Sequence, residues 1–301
     1  MKKTIILYAY YEGLNAGDKK SVCNIRYFLK HGLKKDEKYQ FYINISGKSI
    51  NEKLQVDFIE YKKKYKNLKI IRNEGKCCWD GWRNILEKVD VKEYKYFIFF
   101  KDNVVGPMNI ESLKKENTNW IDKFTKNIKK NQEVIISGYG VSPLGKLYKL
   151  PFVPGKFFCT NRTVVKEMIK RNIFSLFRYD SSNNEKNRMN DLIVKYGENI
   201  ENIPLNINTD IKLTHFLLEN NYNYVVCDNK GITDVGVLRY YNEKDWLKLG
   251  KLVEKMYCEE DTYIPNRFFW SNGNFYKIMQ NNELILYHKN NIKSLNNIEK
   301  W

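Results

Sequence analysis

Histidine is scarce in this chain. His31, His215 and His288 stand far apart, and the six cysteines form no CxxC pair anywhere. A zinc site of the usual ligand spacing is therefore unsupported. Cysteines scattered in this way read as reduced thiols of an intracellular protein. Long apolar runs are also missing: none approaches the ~20 residues that cross a bilayer as a helix. The opening MKKTIILYAYYEG reaches Glu12 with no small-residue cleavage site, so its apolar part reads as a strand rather than a leader. With six prolines in 301 residues there is no proline-rich linker, and no repeat or low-complexity segment is visible. No GxGxxG follows the first apolar run, which argues against a Rossmann dehydrogenase or methyltransferase.

Acid is in short supply as well. Against 52 Lys and Arg stand 35 Asp and Glu, for a formal charge of +17. A basic surface suits polyanionic partners: nucleic acid, anionic lipid headgroups or phosphorylated substrates. The excess is spread through YKKKYK (61–66), KNIKK (126–130) and LKLGK (247–251), which read as solvated faces. What the chain does have is core material, with 43% hydrophobic and 15% aromatic residues, enough to exclude global disorder.

The apolar pattern alternates between two periods. TIILYAYY (4–11), YQFYINIS (39–46), NLKIIRN (67–73) and KYFIFF (95–100) read as strands. Between them, residues 21–33, 56–65 and 78–89 read as helices. That alternation predicts a mostly parallel α/β sheet flanked by helices, with ligands held at the carboxyl ends of the strands. Further on, helices are expected at 120–130, 163–172 and 210–221, and strands at 133–140, 152–160 and 222–228. The 210–221 helix has Thr209 or Asp210 as its cap and Leu213, Phe216 and Leu217 along one face. A helix and a hairpin turning at Asn281-Asn282 complete the tail. The expected organisation is a main domain over residues 1–230 and a C-terminal extension over 231–301 packed on it.

The fourth strand ends abruptly in charge, as YFIFFKDNVVGP (96–107). A carboxylate at a buried strand's end can hold Mg²⁺ or Mn²⁺, which take oxygen ligands and bridge one or two carboxylates to substrate phosphates. Asp102 fits that demand; a plain polar strand exit fits the same letters. This segment resembles the "YFIFLNDSVRGP"-type segment of glycosyltransferases related to the rhamnan-synthesis protein F family, which have a GT-A fold. Three more stretches are similar to that family in the same order. TIILYAYYE resembles its first strand, IIRNEGKCCWDGW its "N-x-G-x-D-F-G-x-W" segment, and TDIKLTHFLLENNYN its late "E-x-x-L-S…G-Y" segment. The resemblance covers residues 4–225.

The resemblance implies a GT-A-like, Rossmann-like fold and transfer of a hexose or deoxyhexose from a nucleotide-sugar donor to a glycan, glycolipid or glycoprotein acceptor, with inversion. Asp102 would be the metal ligand at the diphosphate, served by Mn²⁺ or Mg²⁺. Asp210 would be the general base that deprotonates the acceptor hydroxyl, although an Asp at a helix start is also simply an N-cap. Donor contacts would come from Tyr8, Ala9, Tyr10, Asn73, Asp80, Lys101, Asp102 and Asn103. Two positions depart from the family pattern. Lys101 stands where the family has Asn or Asp, so its own charge could serve the diphosphate. Cys77 and Cys78 occupy the acidic position of the middle motif, with Asp80 slightly downstream to take over that role.

The expected setting is cytoplasmic, in polysaccharide or glycan biosynthesis, with peripheral contact to an anionic membrane compatible with the basic surface. Two alternatives stay open: a catalytically inactive GT-A-like domain that binds sugar or nucleotide, kept alive by Lys101, and a basic nucleic-acid-binding protein. No nucleic-acid partner is expected, since the lysines are not concentrated on one element and no nucleic-acid motif is present.

Overall fold

The computed structural model describes residues 4–12, 19–47, 50, 52–75, 77–102, 104–105, 119–125, 128, 134–137, 155, 157–175, 212–214, 216–217, 219–227, 232–237 and 287–288. Strands β1 (Thr4–Tyr11), β2 (Tyr39–Ser46), β3 (Leu68–Asn73) and β4 (Tyr96–Lys101) alternate with helices α1 (Lys19–His31), α2 (Glu52–Lys64) and α3 (Cys78–Leu86). The strand β5 (Val104–Val105), helix α4 (Trp120–Thr125), strands β6 (Val134–Ser137) and β7 (Phe157–Asn161) and helix α5 (Arg162–Lys170) follow. Strands β8 (Asn223–Cys227), β9 (Ile232–Val237) and β10 (Tyr287–His288) come last.

Eight strands form one sheet in the order β3-β2-β1-β4-β7-β6-β8-β9. Strand β1 is parallel to both β2 and β4, and β2 is parallel to β3. Beyond β4 the sheet is mixed: β7 runs antiparallel between β4 and β6, β8 is parallel to β6, and β9 is antiparallel to β8. The α/β architecture with a mostly parallel central sheet is thus the one its strand–helix alternation predicts.

Burial follows the topology. Strands β2 and β4 are buried at every position and β1 at all but Tyr11, as expected of central parallel strands covered on both faces. Strand β3 lies at the sheet's edge, where exposed Lys69 and Arg72 alternate with half-buried Ile70 and Ile71. Charge on an edge strand discourages pairing with another chain.

Rings fill both faces of the sheet. On one, Phe28 of α1 meets Tyr8, Phe41, Phe100 and Trp120. On the other, Trp82 of α3 packs edge-on against Trp79, Phe99 and Phe158, and its indole N–H donates to the carbonyls of Leu7 at 3.0 Å and Phe100 at 3.3 Å. Full burial of one such phenylalanine side chain is worth about 1.5–3 kcal/mol. Gly81 lets α3 approach this closely, since a Cβ there would stand 3.0 Å from Asn44 Nδ2 and 3.1 Å from the Ala9 Cβ.

Three features differ from the sequence expectation. Lys101 is the last residue of β4 rather than part of a polar exit, and it is buried. Its aliphatic stem continues the apolar strand and its ammonium finds aromatic faces. Strand β9 extends the sheet past the expected last strand at 222–228, into the segment assigned to the C-terminal extension. Strand β10 pairs antiparallel with β5, Tyr287 opposite Val105 and His288 opposite Val104, which sets a piece of the tail beside the tip of β4. The expected tail helix, and the expected hairpin up to residue 286, lie outside the described residues.

Candidate functional site

Strands β1 and β4 are neighbours, but the chain leaves them in opposite directions: from β1 through α1 to β2, and from β4 toward the mixed half of the sheet. Where successive connections part in this way, open α/β sheets bind ligands at the carboxyl ends of the two strands. Asp102 stands there, only 4% exposed.

Its position is fixed from several sides. The Asp102 N–H donates to the Ala9 carbonyl at 3.1 Å, extending the β1–β4 ladder by one step. Its own carbonyl accepts from Asn24 Nδ2 of α1 at 2.7 Å. The carboxylate Oδ2 accepts from the Tyr11 N–H at 3.1 Å, and Oδ1 accepts from the Cys78 thiol at 3.4 Å. Burial, and then the Asp102 charge, push the Cys78 thiol well above the usual cysteine range, with Lys101 acting in the opposite direction. Cys78 is therefore a neutral thiol that donates to Asp102. Burial first, then Asp102, likewise raises the Tyr8 phenol.

Lys101 sits on the opposite side of β4. Its Nζ lies 5.1 Å from the Trp79 ring centroid and 5.5 Å from that of Trp82, within cation–π range. Asp80, buried in the first turn of α3, pairs with Arg83 at 3.5 Å. Its carbonyl accepts from Asn73 Nδ2 at 3.4 Å. Asn73 belongs to a polar network beneath α3: Asn44 Nδ2 donates to Ser46 Oγ at 2.8 Å and Asn73 Oδ1 at 3.0 Å, Ser46 donates to Asn73 Oδ1 at 2.7 Å, and Asn84 donates to Asn44 Oδ1 at 2.6 Å.

The structure thus brings Tyr8, Ala9, Tyr10, Lys101 and Asp102 to the junction of β1 and β4, and holds Asn73 and Asp80 together under α3, beside β2. Tyr8 is a core residue, with its ring stacked on Phe100 at 5.1 Å and tilted against Phe28 at 4.7 Å. Tyr10 is also buried. Asn103 and Asp210 lie outside the described residues.

Sequence reasoning missed Glu12, Asn24, Asn44, Ser46 and Asn84. For Asn44 and Ser46 a signal was present: in YQFYINIS the polar residues 40, 44 and 46 all fall on one face of the strand. Asp102 is an oxygen donor of the kind a hard divalent cation prefers. Among the described residues there is no group of three or more His, Cys, Asp or Glu that could hold a metal by themselves. Among the described residues, too, no helix is long and apolar enough to cross a membrane.

No protein-family model matches the sequence, and no curated protein does. Solved structures do resemble the fold. The apo-form glycosyltransferase GlyE of Streptococcus pneumoniae TIGR4 aligns at a TM-score of 0.40 and 11% identity, over 74% of this chain and 45% of that one. This chain spans less than half the length of GlyE. The mannosyltransferase PcManGT of Pyrobaculum calidifontis, in complex with GDP-Man and Mn²⁺, aligns at 0.38 and 8% identity, over 89% of this chain and 63% of that one. The 4-diphosphocytidyl-2C-methyl-D-erythritol synthase of Anaerococcus prevotii DSM 20548 aligns at 0.35 and 13% identity, over 70% and 95%.

Proposed function

We propose that this chain is a nucleotide-sugar-dependent glycosyltransferase of GT-A type that transfers a hexose or deoxyhexose to a glycan, glycolipid or glycoprotein acceptor with inversion. The observation that carries this reading is the placement of Asp102: a buried carboxylate at the carboxyl end of β4, where β1 and β4 part. The four-segment resemblance to the rhamnan-synthesis glycosyltransferases supports it independently.

In this reading the donor lies across the carboxyl ends of β1 and β4. Asp102 would hold Mn²⁺ or Mg²⁺, which when bound neutralises the charge that develops on the departing diphosphate. The contacts from Tyr11, Cys78 and Asn24 orient Asp102 before the donor arrives, so little reorganisation accompanies binding. Asp210 takes the proton of the acceptor hydroxyl as its oxygen attacks the anomeric carbon from the face opposite the leaving group. A new C–O bond forms there, and the bond to the nucleoside diphosphate breaks with its electron pair leaving on the phosphate oxygen. Lys101 acts from beneath α3, where its charge partly offsets that of Asp102 at Cys78.

A second reading, a nucleotide-binding domain without transferase activity, is favoured by that same lysine in place of an acidic residue. Release of nucleoside diphosphate from a panel of nucleotide sugars separates the two. A transferase turns over at least one donor, by slow hydrolysis if no acceptor is present. Asp102→Asn and Asp210→Asn each lower that turnover by about 10²-fold or more. Binding without turnover of any donor, with or without Mn²⁺ and candidate acceptors, contradicts the transferase reading.

A further inference from the structure

The run YKKKYK closes helix α2 at the edge of the sheet farthest from Asp102. Helix α2 is tied to α1 by the Arg26–Asp57 ion pair at 2.7 Å and buries Leu54 and Phe58. It returns the chain from the end of β2 to the start of β3, and both strands run parallel to β1 and β4. Its last turn therefore lies at the amino edge of these strands, while Asp102 follows the carboxyl end of β4. Three large apolar side chains are exposed among the described residues, and two of them belong to α2: Val56 at 64% and Ile59 at 53%. Val56, Ile59 and Lys63 follow one another at steps of three and four, which sets all three on the outward face of the helix.

Charge around the two aliphatics is unbalanced. Lys62, Lys63, Lys64, Lys66 and Lys69 are exposed, and none has an acidic partner among the described residues. Arg26, Lys38, Arg83 and Arg171 by contrast are all paired. The exposed acids of α2 are Glu52, at the other end of the helix, and Glu60. Lys64 Nζ stands 5.9 Å from the Tyr61 ring centroid and 5.8 Å from that of Tyr65, over two half-buried rings that stack on each other. Tyrosine in such a position suits a boundary with one apolar and one wet side. Unpaired lysines alone attract any polyanion. The aliphatic pair chooses among them: Val56 and Ile59 gain nothing from a phosphate backbone, but lose exposed apolar surface on entering the boundary between lipid headgroups and acyl chains. Lysine stems bridge the two layers, lying along apolar surface with the ammonium at headgroup phosphates. We propose that the α2 face carrying Val56, Ile59, Lys62, Lys63 and Lys66 is a docking surface for an anionic lipid bilayer. The inference stands apart from the transferase reading, since this face lies at the opposite edge of the sheet from Asp102.

The test is co-sedimentation of the full chain with vesicles of phosphatidylcholine alone, and of phosphatidylcholine with about one third phosphatidylglycerol, at low and at physiological salt. Three double variants alter exposed side chains only: Lys62→Gln with Lys63→Gln, Val56→Ser with Ile59→Ser, and, as a charge control away from α2, Lys88→Gln with Lys166→Gln. Wild type should partition onto the anionic vesicles roughly tenfold or more above the neutral ones, and less as salt rises. Removing the α2 lysine pair should lower that partitioning about tenfold or more, since each basic residue near the surface is worth about fivefold. Removing the aliphatic pair should lower it about fivefold or more with no change of charge. The control pair should change it by less than about twofold, because those charges stand beyond screening distance of the docked face.

The proposal fails if wild type ignores anionic vesicles at low salt. It fails equally if the control pair costs as much as the α2 lysines, which would make the attraction one of net charge rather than of this face. An aliphatic pair that can be replaced without loss also overturns it, because nothing then enters the bilayer. Binding of a single-stranded RNA that falls with the α2 lysines but not with Val56 and Ile59, in a protein that leaves the vesicles unbound, assigns the face to nucleic acid instead. Release of nucleoside diphosphate from a water-soluble donor should be the same in all three variants as in wild type, so the docking surface and the transferase reading stand or fall separately.

Discussion

Polar groups are buried on both sides of the sheet's carboxyl edge, but they are treated differently. Under α3, Asn84, Asn44, Ser46 and Asn73 form a chain in which each member hydrogen-bonds another. At the β1–α1 side, Tyr8, Asn24 and Glu12 keep oxygens without partners among the described residues. The indole N–H of Trp79 is an exception on the α3 side. A satisfied network rigidifies the elements it joins, whereas a half-satisfied one is costly unless something completes it. The α3 side therefore reads as scaffold, and the β1–α1 side is the one whose buried polar atoms are left incomplete among the described residues. Asp102 sits between the two, held by Cys78 from one and by Asn24 and Tyr11 from the other.

Mutations can break or sharpen that division. The largest effect belongs to the scaffold: Trp82→Ala removes a fully buried indole and its bonds to Leu7 and Phe100, and should cost about 3–5 kcal/mol in denaturant unfolding. Asn44→Ala strips partners from Ser46, Asn73 and Asn84 and should cost about 1–3 kcal/mol. In the folded fraction its nucleotide affinity should stay near that of wild type; a collapse of affinity without loss of stability would move the network from scaffold to site.

Gly47→Ala places a side chain at positive φ and against the Glu12 carbonyl. A cost of about 1–2 kcal/mol is expected in denaturant unfolding.

Tyr8→Phe is the mildest. It removes an unpartnered hydroxyl, so stability at neutral pH should change by less than about 0.5 kcal/mol. Its signature lies in alkali. The Tyr8 phenol is raised in the folded state, so its contribution is fully present below the ordinary tyrosine value of 10.0 and is lost as pH rises above it, where the unfolded chain gives up its proton first. Wild type should lose melting temperature above about pH 10, and Tyr8→Phe should lose less. Cys78→Ala should flatten the same limb from about pH 9, the ordinary thiol value, since that group is raised too.

Most of the parallel half of this fold was legible because long apolar runs and helical spacing leave little choice. YQFYINIS predicts β2 to the residue, and TIILYAYY predicts β1. The end of β4 was less legible. Lysine reads as a solvated residue, yet Lys101 has an aliphatic stem and two indoles to cover its charge, and neither indole is near it in the sequence. Asp102 was visible as a carboxylate at a strand end. Its partners were not, because Tyr11, Asn24 and Cys78 are brought to it by pairing and helix packing across 24 to 91 positions of chain. Glu12 looked only like the residue that ends an apolar run. Its burial follows from Gly47 and Ser46 at the end of β2, a register no local pattern encodes.

The central claim is that the β1–β4 edge, organised around Asp102, holds the diphosphate of a nucleotide sugar through a divalent cation. Thermal melting of wild type and Asp102→Asn, across a panel of nucleotide sugars with and without Mn²⁺, addresses it most directly. The asparagine retains an acceptor for the Tyr11 N–H, so the variant should fold. At least one donor should raise the wild-type melting temperature, more strongly with Mn²⁺ than without, and the variant should lose that shift. No shift with any donor, or an equal shift in the variant, would contradict the account.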